Sequence, residues 1–182
     1  MNLANKLTLL RVVLVPVFMA LLLIDAAWSH WTALAVFIIA SLTDMLDGQI
    51  ARRCNQITTF GKFADPLADK MLTTSAFLIF MQQGIIDVWA VMIILIREFA
   101  VAGIRLAAVG EGEVIAASFF GKLKTVTQMI AIIVTIIIMN ISAIPQGVSV
   151  IISAALIWIS VLFTVLSGVD YLIKNWSLLK LK

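Results

Sequence analysis

Four aspartates lie close together in the sequence, within or beside two apolar segments. Asp44 and Asp47 come near the end of one apolar run, and Asp65 and Asp69 come at the start of the next. Residues three or four apart lie on the same face of a helix, so each pair would present both carboxylates on one side. Charge inside a membrane span costs about 2.5–3.5 kcal/mol per residue and usually marks function. Four carboxylates with no His or Cys beside them predict a site for a hard divalent cation such as Mg²⁺, Mn²⁺ or Ca²⁺.

Each residue of this stretch also has a simpler structural explanation when taken alone. Asp65 could cap a helix that begins at Pro66. Gly48 and Ala51 could simply allow close packing of helices, and Arg52 could mark the edge of the membrane. On the same face as two carboxylates, however, the small residues would let a phosphate-bearing ligand approach the backbone. Arg52 would then offer its planar set of N–H donors to that phosphate.

Six apolar segments must position these residues. Of 182 residues, 63% are apolar, against about 45–50% in a soluble domain. Several apolar runs approach the ~20 residues that a helix needs to cross a bilayer. We therefore predict an all-α, polytopic membrane protein with six transmembrane helices in one domain, residues 1–182. The predicted helices are residues 7–24, 32–52, 66–81, 88–109, 123–139 and 148–173.

Lysine and arginine lie at only one set of the predicted helix ends. Connections 25–31, 82–87 and 140–147 contain neither residue. The positive-inside rule therefore places the opposite ends, and both termini, in the cytoplasm. An even number of spans agrees with this orientation. We expect the first helix to be retained and not removed as a secretory signal, because the polar Asn5 and Thr8 precede its apolar stretch.

Residues 44–69 resemble the signature of the CDP-alcohol phosphotransferase family. The matching pattern is Asp44-x2-Asp47-Gly48-x2-Ala51-Arg52-x8-Gly61-x3-Asp65-x3-Asp69. The resemblance implies six transmembrane helices, a homodimer and two bound divalent metals, Mg²⁺ or Mn²⁺. It also implies a bacterial inner-membrane protein with its active site at the cytoplasmic face, and CDP-diacylglycerol as the phosphatidyl donor.

The same resemblance assigns roles to individual positions. The implied metal ligands are Asp44, Asp47, Asp65 and Asp69. Asp69 would also be the base that takes a proton from the acceptor hydroxyl. The residues implied to contact or surround the CDP part of the lipid are Gly48, Arg52, Thr58, Gly61, Asn5 and Thr8.

Further cations bear on the acceptor alcohol. Arg97 and Arg105 are about two turns apart and would share a helix face, and Lys122 and Lys124 begin the fifth predicted span. Cations within a span are costly and usually functional, so they favour a phosphorylated acceptor. Residues 97–99 and 121–125 resemble the bacterial family members that use glycerol 3-phosphate and make phosphatidylglycerophosphate and CMP. Alternatively, Arg97 pairs through Glu98 and the lysines only fix topology, and serine or inositol acceptors stay open.

Two other classes of protein compete with the transferase. Carboxylates inside a membrane also mark ion paths, so a divalent-cation transporter is one alternative. Against it, the acidic residues crowd one predicted membrane face, and only Asp25 and Asp87 lie on the other. A structural scaffold is the second alternative. We expect membrane lipid, and no nucleic acid, among the partners.

Overall fold

The structure, a computed structural model, describes the backbone of residues 3–53, 59–110, 115 and 118–176. It describes the side chains of residues 8–43, 70–108, 115 and 118–176. Within these ranges the chain forms six α-helices and no strand, which confirms the predicted all-α class. The helices are α1 (Leu3–Leu23), α2 (Ala27–Arg53), α3 (Thr59–Gln82), α4 (Val88–Gly110), α5 (Phe119–Met139) and α6 (Gln146–Lys174).

The second helix begins earlier than predicted, at Ala27 and not at residue 32. The predicted connection, residues 25–31, is therefore shorter in the structure, where only residues 24–26 separate α1 from α2. In the structure Ser29 is buried and its hydroxyl lies within bonding distance of the carbonyl oxygens of Leu21 and Ile24, at 2.8 Å each. This side chain ties the first turn of α2 to the end of α1.

The third helix also begins earlier, at Thr59 and not at Pro66. The prediction that Asp65 caps this helix is therefore wrong, because Asp65 and Pro66 lie inside it. A proline inside a helix lacks the N–H donor and its ring crowds the carbonyl of the residue four before it. Membrane helices tolerate this because neighbouring helices and local adjustments satisfy the freed backbone groups. The first helix likewise continues through Pro16.

The helices pack in two groups that meet in a shared core. One group joins α1 to α2 and α3, and the other joins α6 to α5 and α4. Contacts of α5 with α2 and α3, and of α4 with α3, close the bundle. The largest buried apolar side chains are Phe18, Phe37, Phe77, Phe80, Ile79, Ile132, Ile136 and Ile157. Buried serines and threonines line α6, and such small residues let membrane helices approach closely.

Apolar surface indicates that this is a membrane protein. Among the described residues, α5 and α6 are long and apolar enough to cross a membrane, and Thr8–Leu23 and Ala27–Thr43 are shorter apolar stretches. Large apolar side chains are exposed along all six helices. Trp28, Trp89 and Trp176 are also exposed near helix ends, as expected of anchors at a membrane–water interface.

Candidate active site

The four predicted metal ligands lie on two helices that touch. Asp44 and Asp47 belong to the last turns of α2, and Asp65 and Asp69 belong to the first half of α3. These helices contact each other, so the carboxylate-bearing segments belong to neighbouring elements, as predicted. The side chains of all four lie outside the described residues, and their convergence stays a prediction. Among the side chains that are described, no three His, Cys, Asp or Glu come together as a metal site.

Most of the residues predicted to surround the nucleotide lie outside the described side chains. The side chains of Asn5 and Arg52, like the surroundings of Gly48 and Gly61, lie outside the described part of the chain, and Thr58 lies outside it altogether. Thr8 is described, and its side chain is buried within the bundle.

A cluster of charged side chains centres on Glu98 of α4. Lys124 of α5 donates to Glu98 Oε1 at 2.6 Å, and Arg97 Nη1 donates to the same oxygen at 3.1 Å. Lys70 Nζ of α3 lies 3.8 Å from Glu98 Oε2 and donates to the Glu98 carbonyl oxygen at 3.3 Å. We call these four residues the Glu98 cluster. The cluster joins α3, α4 and α5, and its member Lys70 directly follows Asp69 in the chain.

Arg97 is held closely by the neighbouring helices. Its Nη2 donates to the hydroxyl of Ser167 on α6. A Cβ atom added at Gly168 would stand 3.2 Å from Arg97 Cγ, and one added at Gly121 would stand 3.8 Å from Arg97 Nη2. Gly168 therefore makes room for this side chain, whereas an alanine at position 121 would meet it only in ordinary van der Waals contact. The buried Nε of Arg97 has no hydrogen-bond partner among the described residues.

Only two of the four cations predicted around the acceptor come together. Arg97 and Lys124 meet at Glu98. Arg97 and Arg105 both contact α6, consistent with the predicted shared face, but Arg105 donates to the Tyr171 hydroxyl at 3.3 Å and lies over that ring. Lys122 is exposed. The alternative in which Arg97 pairs with Glu98 is present in the structure, although the same carboxylate also holds Lys124.

Sequence analysis did not identify two residues of this region. Lys70 carried an available signal, because it is a cation inside an apolar span directly after Asp69. Ser167 carried none, because a serine in an apolar helix is ordinary and its contact with Arg97 depends on how α4 and α6 pack.

The chain belongs to the CDP-alcohol phosphatidyltransferase family, whose family model matches residues 1–166. This agrees with the resemblance of residues 44–69 to the family signature and with the all-helical fold.

Individual relatives are similar over most of the chain. A Bacillus subtilis (strain 168) protein named CDP-diacylglycerol–glycerol-3-phosphate 3-phosphatidyltransferase is 42% identical over 98% of this chain and 97% of its own length. A Mycobacterium tuberculosis (strain H37Rv) protein named probable phosphatidylglycerophosphate synthase is 41% identical over 93% of this chain and 79% of its own length. An Escherichia coli (strain K12) protein with the same name as the Bacillus protein is 36% identical over 72% of this chain and 74% of its own length.

Proposed function

We propose that this chain transfers the phosphatidyl group of CDP-diacylglycerol to glycerol 3-phosphate, producing phosphatidylglycerophosphate and CMP. The similarity to the Bacillus subtilis protein carries the proposal, because 42% identity extends over 98% of this chain and 97% of that protein. The similar proteins from Mycobacterium tuberculosis and Escherichia coli have names that describe the same activity.

The proposed setting is the bacterial inner membrane, which one domain of six helices would cross with both termini in the cytoplasm. Support comes from the positions of Lys and Arg, which avoid connections 25–31, 82–87 and 140–147. It also comes from the apolar surface that the helices expose. The active site would lie at the cytoplasmic face, where α2 ends and α3 begins. The family resemblance further implies a homodimer.

The donor set of the predicted site fits a hard divalent metal. Asp44 and Asp47 on α2, with Asp65 and Asp69 on α3, offer only carboxylate oxygens, which Mg²⁺ and Mn²⁺ prefer. A bound pair of such ions would stabilise negative charge on the attacking and leaving oxygens of a phosphoryl displacement.

The chain's own residues would then perform the transfer. Asp69 would take the proton of the acceptor hydroxyl. Because a carboxylate with a pKa of about 4 is a weak base for an alcohol, bound divalent metals would have to make that hydroxyl more acidic. The acceptor oxygen would form a bond to the phosphorus of the phosphatidyl group as the bond from that phosphorus to CMP breaks. Gly48 would let the pyrophosphate approach the backbone, and Arg52 would donate to it. The other proposed nucleotide contacts are Thr58, Gly61, Asn5 and Thr8.

The cations of the middle helices support a phosphorylated acceptor. Arg97 and Lys124 meet inside the bundle with Lys70, which directly follows Asp69. A phosphate held by these cations would place the acceptor hydroxyl toward α3, where the proposed base lies. Arg105 and the exposed Lys122 could attract the anionic acceptor from the cytoplasm.

A comparison of acceptors tests the proposal. Purified protein in detergent micelles would receive CDP-diacylglycerol, Mg²⁺ and either glycerol 3-phosphate, serine or inositol. Release of CMP and the mass of the lipid product are measured. We expect phosphatidylglycerophosphate from glycerol 3-phosphate and little product from the other two. CMP release that is greatest with serine or inositol would refute the proposed acceptor, and none with any acceptor would refute the activity.

A further inference from the structure

Glu98 is a buried carboxylate that the proposed reaction does not use. Its side chain is 10% exposed and lies on α4, which carries none of the predicted metal ligands. A carboxylate in an apolar bundle is costly, so its presence calls for an explanation. Its neighbours are cations from three helices, Lys70 of α3, Arg97 of α4 and Lys124 of α5.

These contacts indicate that Glu98 holds the three cations in place. Oε1 receives hydrogen bonds from both Lys124 and Arg97, at 2.6 and 3.1 Å. Lysine and arginine side chains each carry about 2 kcal/mol of rotamer entropy, which a ligand must overcome if they are not already ordered. With Glu98 in place, the three cations already lie together around one carboxylate.

Arg97 shows that the ordered cluster still has binding capacity. Two of its nitrogens are engaged, by Glu98 and by Ser167, but the buried Nε has no partner within the described part of the chain. A buried N–H group without an acceptor is unfavourable. An oxygen of an anionic ligand would satisfy it, and guanidinium groups bind phosphate oxygens well.

We propose that Glu98 is a positioning residue that gathers Lys70, Arg97 and Lys124 into a receptor for the phosphate group of the acceptor. This inference rests on the proposed function, because it deepens the choice of acceptor at the same site. Glu98 acts only through the cations it holds. It thereby sets the preference for a phosphorylated alcohol over the same alcohol without phosphate.

The variant Glu98→Gln tests the inference, because it keeps the shape of the side chain and removes its charge. Without the carboxylate the three cations repel one another and lose their common anchor. We expect the KM for glycerol 3-phosphate to rise on the order of tenfold or more, as when one partner of a buried charge pair is removed. The KM for CDP-diacylglycerol should stay within about twofold, since the proposed nucleotide contacts lie on other residues. The preference for glycerol 3-phosphate over glycerol should fall with the same variant.

Asp25→Asn is the matched control. It makes the same change of carboxylate to amide at an exposed position at the opposite end of the bundle, and it should leave both KM values unchanged. If Glu98→Gln raises both KM values equally, or lowers kcat alone, Glu98 has a general structural role and the inference is overturned.

A double variant separates positioning from an independent effect. If Glu98 acts through Lys124, then Glu98→Gln combined with Lys124→Gln should raise the KM for glycerol 3-phosphate no more than the worse single variant does. Multiplied effects would overturn the inference. If Glu98→Gln does not fold, Glu98→Asp decides, because it keeps the charge and withdraws it by one carbon. A KM equal to that of the unmodified protein would then refute the role.

Failure of the proposed function gives a different result. In that case the unmodified protein releases no CMP with glycerol 3-phosphate. The positioning role is then read from the thermal unfolding midpoint with and without glycerol 3-phosphate. A ligand-dependent rise in the unmodified protein that Glu98→Gln loses supports the role, and no rise in the unmodified protein, or an equal rise in the variant, overturns it.

Discussion

Replacing Gly168 with alanine should disturb acceptor binding through a single steric contact. The added Cβ would stand 3.2 Å from Arg97 Cγ, whereas carbon atoms in good contact lie about 3.5–4.0 Å apart. Arg97 or the spacing of α4 and α6 must therefore shift by several tenths of an ångström. The guanidinium group is bonded to Ser167, the residue beside Gly168, and to Glu98, so the shift must strain at least one of these bonds.

The size of the effect follows from those bonds. A hydrogen bond to a charged group contributes about 1.5–3 kcal/mol, and partial loss of one bond would cost about 1 kcal/mol. Since about 1.4 kcal/mol corresponds to a factor of ten, the KM for glycerol 3-phosphate should rise roughly three- to tenfold. The fold itself should not weaken by a comparable amount, because alanine favours helix over glycine by up to about 1 kcal/mol.

Gly103→Ala provides the control for helix propensity. Gly103 lies in α4, and a Cβ atom added there would meet no heavy atom within 4 Å. Initial rates over a range of glycerol 3-phosphate concentrations, with CDP-diacylglycerol saturating, give the KM of both variants and of the unmodified protein. The reasoning would be refuted if Gly168→Ala and Gly103→Ala had the same KM for glycerol 3-phosphate.

Three further predictions concern the reaction and the bundle. Asp69→Asn should abolish CMP release but leave membrane insertion, measured by cell fractionation, unchanged. Activity near that of the unmodified protein would exclude Asp69 as the base. Chelation with EDTA should stop turnover, and Mg²⁺ or Mn²⁺ should restore it; turnover that survives exhaustive chelation would contradict a metal site. Gln128→Leu removes a buried hydrogen bond of 3.0 Å to Thr164, and it should lower unfolding stability by only about 0.6 kcal/mol, because Thr164 keeps its bond to Ser160. If denaturant unfolding showed a loss of stability several times larger, the packing of α5 against α6 would depend on this hydrogen bond.

The errors in the predicted helix bounds concern mainly where the helices begin. The prediction placed the start of α3 at Pro66 because proline is favoured in a first helical turn. The helix instead begins at Thr59 and runs through the proline. The rule failed because it describes a frequent position of proline, whereas packing against neighbouring helices decides whether the preceding residues are also helical.

Local patterns in the sequence determined the helical class, the approximate extent of the helices and the four aspartates that match the family signature. Hydropathy and helical period need no knowledge of which helices meet, so they could be read directly from the chain. The tertiary structure alone decided that Lys70 and Lys124 join Arg97 at the Glu98 carboxylate, and that Gly168 leaves room for Arg97. Glu98 is far in the chain from both lysines, as Arg97 is from Gly168, and these contacts depend on how α3, α4, α5 and α6 pack together. No local pattern specifies that packing.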